Sequence, residues 1–313
     1  MQFSDPNANL FGDGTPYGSP GASSPYGNMN MPYMGQTVRR RRRRGCLGCL
    51  ILLLFVVLLL AGIAFAWNIT IIEGPTVIKV GAHPTLIIES ASNPRSVIHI
   101  HTGASGQIAI QPLRPLNLPF GPPETYQVSS DQQTIIYDLA PTLSGIFDIT
   151  VPPQTDLKID ANDASVLIEG VSGQMALVTN SGLLTVQHCH VQGPSLLRNN
   201  SGVINVLHDQ FSGSVDIDNN SGDLTFQGGL DAAGTYHFTE NGGLLTVTLP
   251  VNSAAHIDAS TPNGSIISSL PGTKVQQGAS GSELHTDLGT APRGQLTLYN
   301  NGARIMVNEQ GEI

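Results

Sequence analysis

Apolar residues beyond position 170 recur in pairs two positions apart, and the pairs recur about every twenty residues. The clearest pairs are Leu184 and Val186, Ile204 and Val206, Leu224 and Phe226, and Leu245 and Val247. A spacing of two places both side chains on one face of an extended strand. Between the members lie Thr185, Asn205, Thr225 and Thr246. The pattern predicts short strands with a buried face and an outward polar column.

Turn residues repeat at the same interval. They form Asn-x-Gly turns at Asn180–Gly182, Asn200–Gly202, Asn220–Gly222 and Asn241–Gly243, with a shortened version at Asn263–Gly264. Glycine takes positive φ without steric cost, and asparagine tolerates it better than most residues. Asparagine side chains that are stacked at strand spacing can also hydrogen-bond to one another. We therefore interpret these turns as corners rather than ligand loops.

One strand-turn-strand-turn unit per twenty residues is typical of a solenoid. An antiparallel meander is the alternative, but it gives no reason for one chemistry to persist at one phase of each unit. Parallel coils stack equivalent residues about 4.8 Å apart, so that like lies on like. The fold class that we predict is all-β: a single-stranded parallel β-helix of about twenty residues per coil, right-handed by expectation.

Residues 68–160 contain alternating, β-branched segments such as TVIKV, SVIHIH and TIIYDL, which predict further strands of the same body. The segment 112–124, PLRPLNLPFGPPE, is too rich in proline for a strand, and we expect an exposed excursion there. Nothing between 68 and 313 has the composition of a linker.

The N-terminal part has a different character. Residues 45–67 carry no charge and are long enough to cross a bilayer as a helix, with Trp67 at the outer interface. The basic run from Arg39 to Arg44 precedes them, so the positive-inside rule places the N-terminus in the cytoplasm. A cleaved signal peptide ending at Ala64–Phe65–Ala66 is the competing interpretation. A nucleic-acid patch is the alternative for the arginines.

These observations divide the chain into three parts. Residues 1–44 are rich in Pro, Gly, Asn and Ser, a composition that predicts a disordered cytoplasmic tail. We predict that residues 45–67 form a transmembrane signal-anchor and that residues 68–313 form an extracytoplasmic domain. The last part has eight Lys or Arg against twenty-one Asp or Glu, which argues against a nucleic-acid partner. Its single cysteine, Cys189, excludes an internal disulfide.

Several stretches resemble a known family. They are FDITVPPQTDLKIDA at 147–161, VLIEGVSGQMALVTNSGLLTV at 166–186, the repeated NSG turns, LPVNSAAHIDASTPNGSI at 249–266 and GQLTLYNNGARIMV at 294–307. Together they resemble the bacterial putative-adhesin family, a β-solenoid domain of unknown function that often follows a single N-terminal span. The resemblance implies the fold but brings no catalytic residues and no cofactor.

Three groups of residues are candidates for chemistry. His188 and His208 share a phase in successive coils, near Cys189, and could hold zinc or copper, although a surface pair of stacked histidines is the simpler explanation. His99 and His101 also share a face. Asp216 and Asp218, which we place on different phases of one strand, suggest glycosidic hydrolysis or calcium binding, but the repeat-type calcium motif is absent.

The sequence therefore favours a membrane-anchored contact protein that binds the lipid bilayer through 45–67 and a glycan or another surface protein through a sheet face. An envelope sensor that couples the outer domain to the cytoplasmic tail is the alternative of a different class. A solenoid enzyme that cleaves glycans is the third hypothesis. We predict no enzymatic activity and no cofactor.

Overall fold

The computed structural model describes residues 52–61, 70–72, 74–90, 96–115, 125–139, 145–279 and 281–310. Residues 52–61 form a helix. The β-strands lie in a compact unit spanning Val56–Ile313, and their buried apolar side chains form one continuous core. The other unit, Met1–Phe55, is described only over residues 52–55.

Twenty-two strands make up the described part of the body. The first eight are β1 Thr70–Ile72, β2 Thr76–Lys79, β3 Thr85–Ser90, β4 Val97–Thr102, β5 Gln107–Pro115, β6 Thr125–Val128, β7 Thr134–Leu139 and β8 Ile146–Val151. The next eight are β9 Asp156–Ala161, β10 Ser165–Glu169, β11 Ser172–Gln187, β12 His190–Ser212, β13 Ser214–Asn219, β14 Leu224–Leu230, β15 Thr235–Glu240 and β16 Leu245–Pro250. The last six are β17 Ala255–Thr261, β18 Ser265–Ser268, β19 Gln276–Gly278, β20 Gly281–Leu288, β21 Gly294–Asn300 and β22 Arg304–Gln310.

Most of these strands stack in parallel as a solenoid-like, unclosed sheet. Each coil contributes one strand to a first wall and the next strand to a second wall; β13 and β14 form one such coil. β11 and β12 continue through the corner, so each serves both walls. The alternating residues of each strand point inward, as in the burial of Val215 and Ile217 of β13, and the two walls enclose the core.

The column predicted from the twenty-residue period is present. Register pairs join Leu184 to Ile204, Ile204 to Leu224 and Leu224 to Leu245, and all four side chains are fully buried. Ile305 continues the column beyond Leu245. Like side chains therefore lie on one another, as stacked parallel coils require.

The coils do not stack in chain order at either end. The late coil β21–β22 lies between β15–β16 and β17–β18, and the early coil β3–β4 lies between β7–β8 and β9–β10. A parallel edge accepts any strand of matching phase, so sequence adjacency does not fix the order of the coils. The prediction of a regular β-helix, with coils stacked in chain order, is thus correct between β9 and β16 and wrong at the ends.

Antiparallel strands cover parts of both ends. β6 pairs with β7, β5 pairs with β8, and at the other end β20 pairs with β17 and then with β19. Covering an edge strand prevents its free N–H and C=O groups from pairing with another chain.

The proline-rich segment departs from the prediction. Pro112 lies within β5 and is buried, because the alternation that begins at Ile108 and Ile110 continues through it. On the side opposite β8, β2 pairs with residues 107–110 and β1 with residues 113–115, so Pro112 falls between the two pairings and has no register partner in either strand. A residue without an N–H is tolerated there. Residues 116–124 lie outside the described part.

Candidate functional site

The corner that follows the first wall carries the predicted asparagine ladder. Asn200 Nδ2 donates to Asn180 Oδ1 at 2.9 Å, Asn220 Nδ2 donates to Asn200 Oδ1 at 3.0 Å, and Asn241 Nδ2 donates to Asn220 Oδ1 at 3.3 Å. All four side chains are exposed. We call Asn180, Asn200, Asn220 and Asn241 the amide ladder. Its hydrogen bonds confirm that these turns are stacked.

The glycines of the corner serve two purposes, of which the sequence suggested one. Gly182 and Gly222 have φ of 109° and 121°, in the region that favours glycine. Gly202 and Gly243 do not, but a Cβ there would lie 2.1 Å from Gly182 O and 1.4 Å from Gly222 O. These two positions require glycine because the coils approach closely. No asparagine of the described residues has positive φ, so the explanation by asparagine's tolerance is wrong.

A second polar column lies directly inside the ladder and is buried. Asn199, Asn219, Glu240 and Asn300 are in register, each with at most 1% of its surface exposed. Asn199 Nδ2 donates to Gly182 O at 3.1 Å, Asn219 Nδ2 to Gly202 O at 3.2 Å, and Asn300 Nδ2 to Gly243 O at 2.7 Å. The column, which we call the buried column, ties each corner to the preceding coil.

Glu240 is the exception in the buried column. Its Oε1 accepts hydrogen bonds from the backbone N–H groups of Gly242 and Gly243, each at 2.9 Å, while Oε2 is buried without a partner. Burial raises the pKa of the Glu240 carboxyl, and hydrogen bonding by the backbone N–H groups of Gly242 and Gly243 and by the Asn219 side chain opposes that rise. Asn219 Oδ1, on its register neighbour, also lacks a donor.

An outer row runs parallel to the ladder on the exposed face of the first wall. Arg198, Asp218, Thr239 and Tyr299 occupy equivalent positions of β12, β13, β15 and β21. The Arg198 guanidinium donates through Nη2 to Asp218 Oδ2 at 2.7 Å and through Nε to the same oxygen at 3.3 Å. We call these four residues the outer row.

The outer row and the amide ladder enclose a groove of about 370 Å³. Arg198, Asp218 and Thr239 line one side, Asn200, Asn220 and Asn241 line the other, and the buried column supplies the floor. Tyr299, the next residue of the outer row, lies beyond the lining residues and donates from Oη to Asn301 Oδ1 at 3.5 Å. The sequence signal was available, because opposite charges at 198 and 218 repeat at the coil interval.

The polar column predicted between the buried pairs lies on the second wall, and its residues are in register as expected. Thr185 pairs with Asn205, Asn205 with Thr225, and Thr225 with Thr246. Its side chains are largely covered: Thr185 is buried and the other three are half-buried. The outer row and the ladder therefore offer more accessible polar groups than this column does.

The histidine pair lies at the opposite corner from the ladder. The rings of His188 and His208 stack with centroids 5.3 Å apart and an interplanar angle of 7°, and both residues have positive φ. Cys189 points into the core, where its thiol donates to the Gln187 carbonyl at 3.3 Å. Among the described residues, no group of three or more His, Cys, Asp or Glu side chains is arranged to hold a metal ion. The metal hypothesis for His188 and His208 gains no third ligand.

Asp209 is buried beside Cys189 at that corner. Its Oδ1 accepts a hydrogen bond from the Cys189 backbone N–H, and its Oδ2 has no partner. Burial raises the pKa of Asp209 to about 7, opposed by the Cys189 and Leu207 N–H groups. Burial, reinforced by the charge of Asp209, raises the pKa of the Cys189 thiol to about 12. Both groups are therefore held away from their charged forms.

His99 and His101 share a face, as expected, on β4 near one end of the stack. Asp148 Oδ1 approaches His99 Nδ1 at 2.9 Å and His101 Nε2 at 3.3 Å, and Glu169 Oε2 lies 3.9 Å from His99 Nε2. These side chains line an open groove of about 590 Å³. The sequence reasoning missed both acidic residues, because β8 and β10 flank β4 only after the coils have been transposed.

The acidic pair lies differently from the expectation. Asp216 and Asp218 both occupy outward positions of β13, whose buried residues are Val215, Ile217 and Asn219, so they share one phase of the strand. The prediction of different phases is wrong, because residues two apart in a strand face the same side. Asp218 is engaged by Arg198, and only Asp218 of the two lines the groove.

The membrane-anchor residues cannot be placed in the same way. Arg39, Arg44 and Trp67 lie outside the described residues, as does most of 45–67. Within the described part of the chain, no helix combines the length and apolar character that crossing a bilayer requires.

Comparison with known proteins identifies the domain. Residues 155–295 match the family model Toastrack DUF4097. This match bears out the resemblance of the chain to a putative-adhesin family of unknown function. The match covers the regular part of the stack, including the amide ladder.

Several solved structures are similar at low identity. A putative cell adhesion protein from Clostridium sporogenes is 10% identical, with 77% of this chain and 100% of that chain covered and a TM-score of 0.36. A putative adhesin from Bacteroides fragilis is 11% identical, covering 78% and 98%, with a TM-score of 0.35. A putative lipid binding protein from Parabacteroides distasonis is 12% identical, covering 78% and 98%, with a TM-score of 0.28. No curated protein matches the chain.

Proposed function

We propose that this protein is a membrane-anchored, adhesin-like contact protein whose solenoid presents fixed rows of polar side chains to a partner outside the cell. The observation that carries the proposal is the stacking of polar side chains at one position of successive coils, from Asn180 to Asn241 in the amide ladder and from Arg198 to Tyr299 in the outer row. A ladder held by its own hydrogen bonds is rigid before binding, which reduces the entropy cost of association.

The proposal excludes catalysis as the main role. Asp216 and Asp218 do not face each other across a cleft, and Asp218 is neutralised by Arg198 at 2.7 Å. A pair of carboxylates that flanks a scissile bond needs a free acid and a free base or nucleophile. Contact, rather than glycan cleavage, is therefore the function that the arrangement supports.

The anchor part of the proposal follows from the sequence. Six consecutive arginines precede an uncharged stretch of bilayer length, which supports a cytoplasmic N-terminus and an extracytoplasmic body. In cells, external protease should degrade the body while a tag at Met1 stays protected. Degradation of both, or of neither, contradicts this topology.

Binding is tested with the whole chain in lipid nanodiscs, spread over arrays of cell-wall fragments, glycans and whole cells. We expect retention on one class of surface relative to empty nanodiscs, and no retention on DNA, because the body is strongly acidic. The absence of retention on every surface would overturn the contact function. If retention is absent but deletion of residues 1–38 alters the envelope-stress response, the sensor hypothesis replaces it.

A further inference from the structure

The groove between the amide ladder and the outer row has hydrogen-bonding capacity that its own structure does not use. A primary amide has two N–H donors and two acceptor lone pairs. In the ladder, Asn200 and Asn220 each donate one N–H to the preceding asparagine and accept one hydrogen bond from the following one. Each exposed amide thus keeps one donor and one acceptor for a ligand, repeated at the coil spacing.

The floor of the groove, by contrast, is committed to the fold. Asn199 donates to Gly182 O and accepts from the Ser201 N–H at 3.2 Å, and Asn219 donates to Gly202 O. These side chains are buried, so they hold the corner in shape rather than reach outward. The groove is therefore preformed, which is typical of ligand sites.

The opposite side of the groove supplies an ion pair, and an aromatic ring follows in the outer row beyond the lining residues. Arg198 and Asp218 cancel each other's charge, and each keeps hydrogen-bonding groups that the ion pair does not use while lining the groove. Tyr299 follows Thr239 in the outer row and is 37% exposed. An exposed ring at the end of the groove can pack against the apolar face of a sugar ring that extends beyond Thr239.

We propose that this groove binds a linear, uncharged polysaccharide that lies along the stack, crossing successive coils. Sugar hydroxyls both donate and accept hydrogen bonds, which matches the unused donors and acceptors of the ladder amides. The acidic body disfavours anionic polymers by long-range repulsion. This assignment of a ligand class rests on the contact function proposed above and gives that function a site.

The test uses the whole chain in nanodiscs and measures its affinity for linear neutral oligosaccharides (glucans, mannans and xylans), with polygalacturonate as the anionic control. Asp218→Asn breaks the ion pair at the groove, and Asp216→Asn is its matched control on the same face of β13 but outside the groove lining. Thr239→Trp blocks the groove directly. Both aspartates lie on the surface, where ion pairs contribute little to folding, so folded protein is expected for each variant.

We expect at least one neutral oligosaccharide to bind the wild-type chain. Asp218→Asn should weaken binding about tenfold or more and Thr239→Trp should abolish it, whereas Asp216→Asn stays within about twofold of wild type. Equal binding by all variants would overturn the groove assignment while leaving the contact function intact. Retention on cells without any neutral-sugar binding, or with binding of polygalacturonate alone, would overturn the ligand class only.

Discussion

Asn200 donates a hydrogen bond from Nδ2 to Oδ1 of Asn180 at 2.9 Å, although twenty positions of the chain separate the two residues. The same contact recurs between Asn220 and Asn200 at 3.0 Å. Residues that are twenty positions apart in the sequence therefore lie in neighbouring coils. The stacked columns of like position follow from this spacing.

Gly243 and Gly242 are adjacent but have different surroundings. A Cβ at Gly243 would meet Gly222 O at 1.4 Å, whereas a Cβ at Gly242 would find its nearest atom, Asn220 O, at 3.5 Å. Gly243→Ala should therefore lower the free energy of unfolding by about 1–3 kcal/mol through overpacking. Gly242→Ala should change it by no more than about 0.5 kcal/mol. Urea denaturation measures both, and equal losses would contradict the close approach of the coils.

Glu240 gives the buried column a dependence on pH. Because burial raises the pKa of its carboxyl in the folded state, the native protein binds the proton more tightly than the unfolded chain does. Its favourable contribution is complete below the ordinary pKa of 4.5 and is lost as pH rises through the raised value. Glu240→Gln keeps the position neutral and supplies an N–H, so it should remove this loss of stability.

Denaturation of wild type and Glu240→Gln is measured over about five pH units, from pH 4 to pH 9. The slopes of the free energy of unfolding against pH are then compared. The matched control is Glu89→Gln, since Glu89 is an exposed carboxylate on β3. A Glu240→Gln curve parallel to wild type would show that folding does not raise the pKa of Glu240, and the burial argument would fail.

Asp209 is the corresponding group at the other corner. Its pKa is raised from 3.8 to about 7 by burial, so its stabilising contribution is present below pH 3.8 and disappears as pH rises towards 7. Asp209→Asn retains an oxygen to accept the Cys189 N–H and has no charge to bury. We expect the variant to be more stable than wild type at pH 8 and to lack this part of the pH dependence. Lower stability of Asp209→Asn at pH 8 would contradict the burial argument.

The terminal strands β17 and β20 carry a chain of histidine and carboxylate contacts. Hydrogen bonding to Asp287 raises the pKa of His256, and hydrogen bonding to Asp258 at 2.7 Å raises that of His285. The stabilisation is complete below pH 6.5 and is lost as pH rises through the raised pKa values. Because these groups are well exposed, we expect a local effect on the pairing of β20 rather than a large change in global stability.

NMR titration of the histidine ring protons measures this directly. Both midpoints should lie above 6.5 in the wild-type chain, and Asp258→Asn should lower both, since Asp258 contacts both rings. Asp216→Asn serves as the control. Midpoints at or below 6.5 in the wild type would contradict the contacts.

The regular part of the fold was predictable because its determinants are local and periodic. Leu184, Ile204, Leu224 and Leu245 share one phase of a twenty-residue repeat, and any arrangement that buries them together must place that phase in one column. The same argument predicted the hydrogen-bonded asparagines. It could not predict the position of β21–β22, because the choice between two coil edges of equal phase is a long-range one.

The candidate site was predictable in part. The turns were identified, but they were interpreted only as corners, and the second side of the groove was missed although Arg198 and Asp218 repeat at the coil interval. The position of Glu240 in the repeat was also visible in the sequence. It directly precedes the ladder residue Asn241, as Asn199 and Asn219 precede the ladder residues of their own coils. Its burial depends on the packing of Asn300 above it, which belongs to a coil sixty residues later in the chain.

The register of the ladder is tested most directly by oxidative cross-linking in a chain whose native cysteines, Cys46, Cys49 and Cys189, are replaced by serine. Residues in neighbouring coils lie about 4.8 Å apart, within disulfide range, whereas those two coils apart do not. Asn200→Cys with Asn220→Cys should therefore form a disulfide readily, and Asn180→Cys with Asn220→Cys should not. Cross-linking of the second pair as fast as the first would contradict the stacking on which the groove and its ligand depend.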